Sequence, residues 1–371
     1  MNDPIVIAGI GILSPLGIGM EETLAALREG DSAILPCARF LPPEGVSPLA
    51  GEVPEFQVEA FGVSPKTYLD RASELLLAAA GQALQRAGLA AAASRSPERA
   101  GLLVGTAWGC LETQAAFFAD YAQKGPRLVK PLLFPHAYFN TAISLVAVEW
   151  SLRGPHQAFA SGRAASGQAL VEARDLLRDG VADVALAGGC EALGPTRMRA
   201  MAGSGLAPGE AGVMLALERR SRAATRGAPV LATILGAALG TDSPVRAGDG
   251  VAAAIRAALA EAARKPAELA CVCASANGCA DVDEREAEGM RQVFGGSPPP
   301  MAPSFAALCG DTAGATAALH TALAIGIRAN GFVPPSRAPT RVQTPATPLR
   351  PGPLLVLATD PTGSTAALVL E

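Results

Sequence analysis

The stretch GPHQAFASGRAASGQALVEA, residues 154–173, reads as a short apolar strand, a tight turn at Ser161-Gly162-Arg163, and a helix. Turns that feed a strand into a helix N-terminus are places where α/β enzymes hold a nucleophile, because the helix end favours an anion. This turn holds an arginine, which stays protonated and cannot attack a carbonyl. A cation at a helix N-terminus is disfavoured by about 0.3–1 kcal/mol, and leaving it buried and unpaired costs several more. A carboxylate partner is therefore required, and an internal echo supplies one. SGRAASGQALVEA (161–173) aligns without a gap on CGDTAGATAALHT (309–321), with Gly162 over Gly310 and Arg163 over Asp311. LLVGTAWG and ACVCASANG look alike in the same two halves. A duplicated fold would aim two helix starts at one centre, and an Arg163–Asp311 ion pair is the expectation. The alternative is an Arg163 that swings out to solvent or to a phosphate.

Other groups with chemical potential are sparse. Cys279 and Cys309 flank the same region, but neither is placed at a helix start, and no histidine is expected beside either. His136, His156 and His320 are the only histidines; His320 lies well down its helix and His156 reads as structural. Asp281, Asp283 and Glu284 read as a solvated loop entering a helix. Cys271 and Cys273 share one strand face, with no second pair to complete a metal site. No metal and no cofactor is expected.

These groups must be positioned by elements that the apolar runs outline. IVIA at the N-terminus, RAGLLVGTAWG (99–109), VMLALE (213–218), VLATILGAALG (230–240), LACVCASANG (269–278) and the closing LLVLATD and TAALVLE read as strands, the last two as a hairpin. Helices are expected over 66–88, from 109 to about Tyr121, and over 138–152, 249–264 and 284–293, with another from near Gly310. Strands alternating with helices imply sheets covered on both faces. The 371 residues are half hydrophobic, with 17% charged and 4% aromatic, so the interior packs through small side chains. A net charge of −4 without basic runs argues against nucleic-acid binding. With no visible signal peptide, no membrane-length apolar run and seven cysteines, the expectation is a cytoplasmic chain with reduced thiols.

Taken together, these blocks resemble the β-ketoacyl-acyl carrier protein synthases, the condensing enzymes of the thiolase fold, over nearly the full length. IAGIGILSPLG resembles the family's opening strand, LRGPHQAFASGRAASGQAL…LRDGVADVALAGGCEA its nucleophile block, and SANGCADVDEREAEGMRQVFG and CGDTAGATAA the blocks carrying two catalytic histidines. The resemblance implies a five-layered αβαβα sandwich of two pseudo-duplicated halves, 1–219 and 220–371. It also implies that the catalytic positions are lost. The cysteine that takes the acyl chain is Arg163, the histidines are Asn277 and Asp311, and a lysine upstream of the second is Ala306. The loop that gates the acyl pocket reads TDPTGST, with Pro361 near the gating aromatic's place.

What the resemblance leaves is a partner surface. The family dimerises through the strand before the nucleophile turn, here His156, Gln157, Ala158, Phe159 and Ala160. A loop reaching the neighbour's tunnel maps to PLLFPHAYF, with Leu133 and Phe134 at its tip. The helix after GTAWG presents Trp108, Leu111, Glu112 and Ala115, with Trp108 either capping a tunnel or sitting in ordinary core. The implied function is that of a chain-length-factor-like subunit of type II polyketide or aryl-polyene-like biosynthesis. Its partners would be an active ketosynthase and an acyl carrier protein. The alternatives are a homodimeric acyl-thioester enzyme with altered chemistry (a decarboxylase or hydrolase) or a stand-alone acyl-binding protein.

Overall fold

Apolar runs bounded by glycine do become strands. The computed structural model describes residues 3–89, 96–243, 245–276, 278–296, 300–335 and 345–371. Nine strands carry the architecture: β1 (Ile5–Ser14), β2 (Ala100–Gly105), β3 (His156–Phe159), β4 (Val184–Glu191), β5 (Ala211–Arg219), β6 (Ala232–Thr241), β7 (Cys271–Cys273), β8 (Leu354–Thr359) and β9 (Ser364–Leu370). From edge to edge they run β7-β8-β9-β6-β1-β5-β4-β2-β3. The join between β6 and β1 is only Ile5–Ile7 against Ala232–Ile234.

Outward from that join the two sets repeat one plan. On one side β1 pairs antiparallel with β5, β5 with β4, and β4 parallel with β2. On the other, β6 pairs antiparallel with β9, β9 with β8, and β8 parallel with β7. Thus LLVGTAWG and ACVCASANG, alike in sequence, belong to equivalent strands. β3 adds an outer parallel strand to β2 only, and among the described residues no strand pairs with its other edge.

Helices Arg71–Ala87 and Thr141–Glu149 cover the first sheet, Asp249–Glu261 and Ala280–Phe294 cover the second, and Ala165–Arg178 and Thr316–Asn330 lie between the two. The layers are α, β, α, β, α. Strand period divides the apolar side chains between cores: Leu354 and Val356 of β8 face the middle layer, while Leu355 and Leu357 face the outer one. Burial on both faces explains why such strands read as unbroken apolar runs. The Arg71–Ala87 helix begins five residues later than its periodicity predicts, because Asp70 caps it by accepting from the Ser73 N–H at 3.1 Å. Among the described residues no helix is long and apolar enough to cross a membrane.

Candidate functional site

Between β3 and the Ala165–Arg178 helix the chain makes a single 3-10 turn, Gly162–Ala164. Gly162 sits at φ +66°, a conformation that disfavours a side chain. From this turn Arg163 reaches across the middle layer. Its Nε donates to Asp311 Oδ1 at 3.1 Å and its Nη2 to Oδ2 at 2.6 Å. The side chains are only 12% and 4% exposed, so this is a bidentate pair shielded from water. Burial works against the guanidinium, yet the charge and hydrogen bonds of Asp311, then Asp360, hold its pKa above the ordinary value. The expected ion pair is present, and Arg163 is not turned out to solvent.

The route by which Asp311 arrives differs from the expectation. The second helix also starts with a 3-10 turn, Ala313–Ala315, followed by Thr316–Asn330. Matching the helix starts puts Gly162 opposite Ala313, at φ +66° and +41°, and Arg163 opposite Gly314. The gapless alignment was out of register by three residues, so Arg163 and Asp311 are not mirror positions. Asp311 lies just ahead of its turn, where Oδ1 also accepts from the Ala313 N–H at 3.0 Å. Its backbone is gripped from outside: its N–H donates to the Ala207 carbonyl, and its carbonyl accepts from the Gly209 N–H and the buried Arg197 Nη2. Gly314 has no room for more. A Cβ there would lie 2.4 Å from Thr106 and Ala107 backbone atoms.

Glu191, at the end of β4, is a site residue that sequence reasoning missed. Fully buried, it accepts from the N–H groups of Ala107, Trp108 and Gly314 at 2.8, 3.0 and 2.9 Å. Burial pushes its pKa up. It ties the turn after β2 to the second helix start, and so places Trp108. Glu286 is a second buried carboxylate that was missed, held by Ser275 and Thr359 and likewise raised by burial. A glutamate closing an apolar strand, as in AGGCEA, was the available signal for the first.

Beside Asp311 opens a cleft of about 980 Å³, lined by Asp311, Ala306, Ala307 and Gly278 and by residues of the segments 45–49 and 201–208. Ala306 therefore lines the site, while Asn277 lies outside the described residues. Cys309 is buried, and burial with the Asp311 charge pushes its thiol up to about 12. Cys279 corrects an expectation. The following helix starts at Ala280, four residues earlier than predicted, so this half-buried thiol stands at its N-cap, within electrostatic reach of Arg163. Asp281 and Asp283 occupy the first turn of that helix and not a loop. His320 is buried against Phe305 and held down to about 4 by burial. His156 is exposed, its Nδ1 lying 3.2 Å from the Gly154 carbonyl.

The residues assigned to a partner surface separate into two groups. Trp108, Leu111, Ala115 and Leu133 are half-buried and Phe134 is 50% exposed. Phe134 packs against Phe117 in a tilted arrangement and edge-on against Tyr138, with ring centroids 5.5 and 5.1 Å apart. Phe118, Leu132 and Tyr138 extend this exposed apolar face. Glu112 does not join it in the expected way. Its carboxylate accepts from the Thr196 N–H and hydroxyl, both at 2.7 Å, and so caps the Pro195–Ala200 helix. In β3, His156 and Gln157 are exposed, Ala158 and Phe159 half-buried, and Ala160 beyond its end is exposed.

Comparison with known proteins agrees with this architecture. Residues 2–207 match the family model "Beta-ketoacyl synthase, N-terminal domain" and 231–338 match "Beta-ketoacyl synthase, C-terminal domain". The tetracenomycin polyketide synthase ketoacyl synthase beta subunit of Streptomyces glaucescens is 32% identical, over 90% of this chain and 87% of its own. Nodulation protein E of Rhizobium sp. (strain N33) is 30% identical, over 91% and 89%. Among solved structures, the ishigamide ketosynthase/chain length factor superposes with a TM-score of 0.90 at 26% identity, covering 100% of this chain and 99% of that one. The fold is the thiolase fold of the ketosynthases.

Proposed function

This chain belongs to the β-ketoacyl synthase family, and from that premise we propose that it is the catalytically silent, chain-length-factor-like half of a ketosynthase heterodimer. The observation that carries the reading is the bidentate Arg163–Asp311 pair at the turn where a condensing enzyme needs a thiolate. Arginine cannot take an acyl group, and losing a nucleophile alone lowers turnover by about 10⁶. An Asp311 anion would oppose a developing enolate where a neutral or cationic group is required. The likeness to a ketoacyl synthase beta subunit and to a ketosynthase/chain length factor supports the same assignment.

In this role the outer edge of β3 and the Phe117–Phe134–Tyr138 face receive an active ketosynthase, and an acyl carrier protein serves the pair. Unpaired strand edges and contiguous apolar patches call for a cover. Trp108, half-buried and fixed through its N–H to Glu191, caps the shared tunnel and limits chain length. The two halves divide at Arg219/Arg220.

One observation favours a second reading, an acyl-thioester enzyme with altered chemistry. Cys279 heads a 15-residue helix within electrostatic reach of Arg163, which places a sulfur nucleophile beside the site. A single experiment separates the two. The chain is co-expressed with a ketosynthase that keeps its Cys and two His, purified through a tag on one partner, and incubated with acyl carrier thioesters. The silent-subunit reading expects a stoichiometric complex acylated on the ketosynthase only. Stoichiometric acylation of this chain at Cys279 would transfer the assignment to the second reading.

A further inference from the structure

The ion pair accounts for one of two carboxylates beside Arg163. The other belongs to Asp360, in the turn between β8 and β9. Its Oδ2 accepts from the Arg163 backbone N–H at 2.8 Å, and its Oδ1 accepts from the N–H and hydroxyl of Thr362 at 2.9 and 2.8 Å. Only 6% of Asp360 is exposed. The fit at Gly162 is closer still, since a Cβ there would lie 1.9 Å from Asp360 Oδ2. Gly162 is therefore required twice, by its positive φ and by the carboxylate lying where a side chain would begin. The same turn is closed on itself by the Asp360 N–H to the Ser364 carbonyl and the Gly363 N–H to the Asp360 carbonyl.

We infer that Asp360 is a strap: it fastens the 359–363 turn onto the Gly162–Arg163 turn, so that one arginine ties together three segments distant in sequence. Asp311 takes the Nε and Nη2 donors of the guanidinium and Asp360 takes the backbone amide. The strap holds the turn in place whether or not position 163 carries a nucleophile. It is a property of this chain's own packing and stands independently of any partner.

Amide hydrogen exchange on the full chain tests it. Asp360→Ala is expected to speed exchange at least tenfold in peptides covering both 160–166 and 358–364, with the helix Arg71–Ala87 unchanged. Thr362→Val, which removes one bond within the turn and spares the Arg163 contact, is expected to act on 358–364 alone. Acceleration confined to 358–364 in Asp360→Ala would overturn the strap and leave Asp360 as a cap of its own turn. Gly162→Ala gives a second route with Asp360 intact. Its Cβ displaces the carboxylate, so faster exchange at 358–364 is expected, and unchanged exchange there in the folded variant overturns the inference.

Discussion

Two regions of this molecule treat their polar and apolar groups in opposite ways. Around Arg163 the strong groups are answered from within the chain at three points: the guanidinium by Asp311, its amide by Asp360, and the neighbouring turns by Glu191. Across the Leu111–Lys124 helix and the 131–139 segment, large apolar side chains stand open, Phe118 at 59% and Leu132 at 52% exposure. A chain acting alone would gain by the reverse arrangement, an open reactive centre and a closed surface. The contrast suits a subunit whose contribution is shape, delivered across an interface. It can be broken at either end.

The largest effect is expected at the closed centre. Arg163→Cys restores a thiol to the turn but leaves Asp311 buried without its partner, a loss of about 3–5 kcal/mol. Adding Asp311→Asn removes the stranded charge and keeps an acceptor for the Ala313 N–H, so the double variant should recover most of the loss. Neither variant should condense acyl groups. Thermal and denaturant unfolding provide the check, and a single variant as stable as the parent would show that the pair contributes nothing.

At the open face the expected effect is on association. Phe134→Asp puts a charge into the centre of the apolar patch, where an anchor is worth about 2 kcal/mol, or roughly 30-fold in Kd. The monomer should lose only about 1 kcal/mol, because Phe134 is half exposed already and gives up its ring contacts with Phe117 and Tyr138. Binding to the ketosynthase measured by calorimetry beside unfolding of the free chain separates the two terms. Unaltered affinity would place the interface elsewhere.

Trp108 lies between the two regions, its amide in the closed network and its ring outside the hydrophobic cores. Trp108→Ala should lower stability by only about 1–2 kcal/mol, less than a fully buried ring would. In a reconstituted complex it should lengthen the products. Mass spectrometry of products from an intact variant complex decides it, and an unchanged distribution returns control of length to Leu133 and Phe134.

Much of this was legible in the residues, because strands buried on both faces leave apolar runs and because a buried cation demands a carboxylate. The charge argument found Asp311 even though the alignment behind it was three residues out. That error has a physical origin. Gly162 and Gly310 both adopt positive φ, at +66° and +80°, so matching glycines paired two different turns. The true counterpart of Gly162 is an alanine, invisible to a rule that looks for glycine in left-handed positions. Glu191 was hidden for a related reason, since a glutamate at a strand end normally marks the return to solvent. Here it marks a buried carboxylate surrounded by amide donors. Glu112 was read by helix face alone, whereas its carboxylate is fixed by the Thr196 turn, 84 residues away in sequence.

The smallest expected effect sharpens the comparison between the two helix starts themselves. Ala313 holds a left-handed conformation that costs an L-residue roughly 1–2 kcal/mol. Ala313→Gly would release that strain, lose a buried methyl worth up to about 0.8 kcal/mol, and add about 0.5–1 kcal/mol of backbone entropy to the unfolded chain. The terms nearly cancel, so stability should stay within about 0.5 kcal/mol of the parent, roughly 1 °C in Tm. The reciprocal change, Gly162→Ala, gains strain at φ +66° and drives a Cβ into the Asp360 carboxylate, so it should be strongly destabilising. Calorimetry of the two single variants under one condition measures both. A loss of more than about 1.5 kcal/mol in Ala313→Gly would mean that its backbone is not strained. The two starts would then differ in backbone as well as in residue, and the structural equivalence of Arg163 with Gly314 would fail with it.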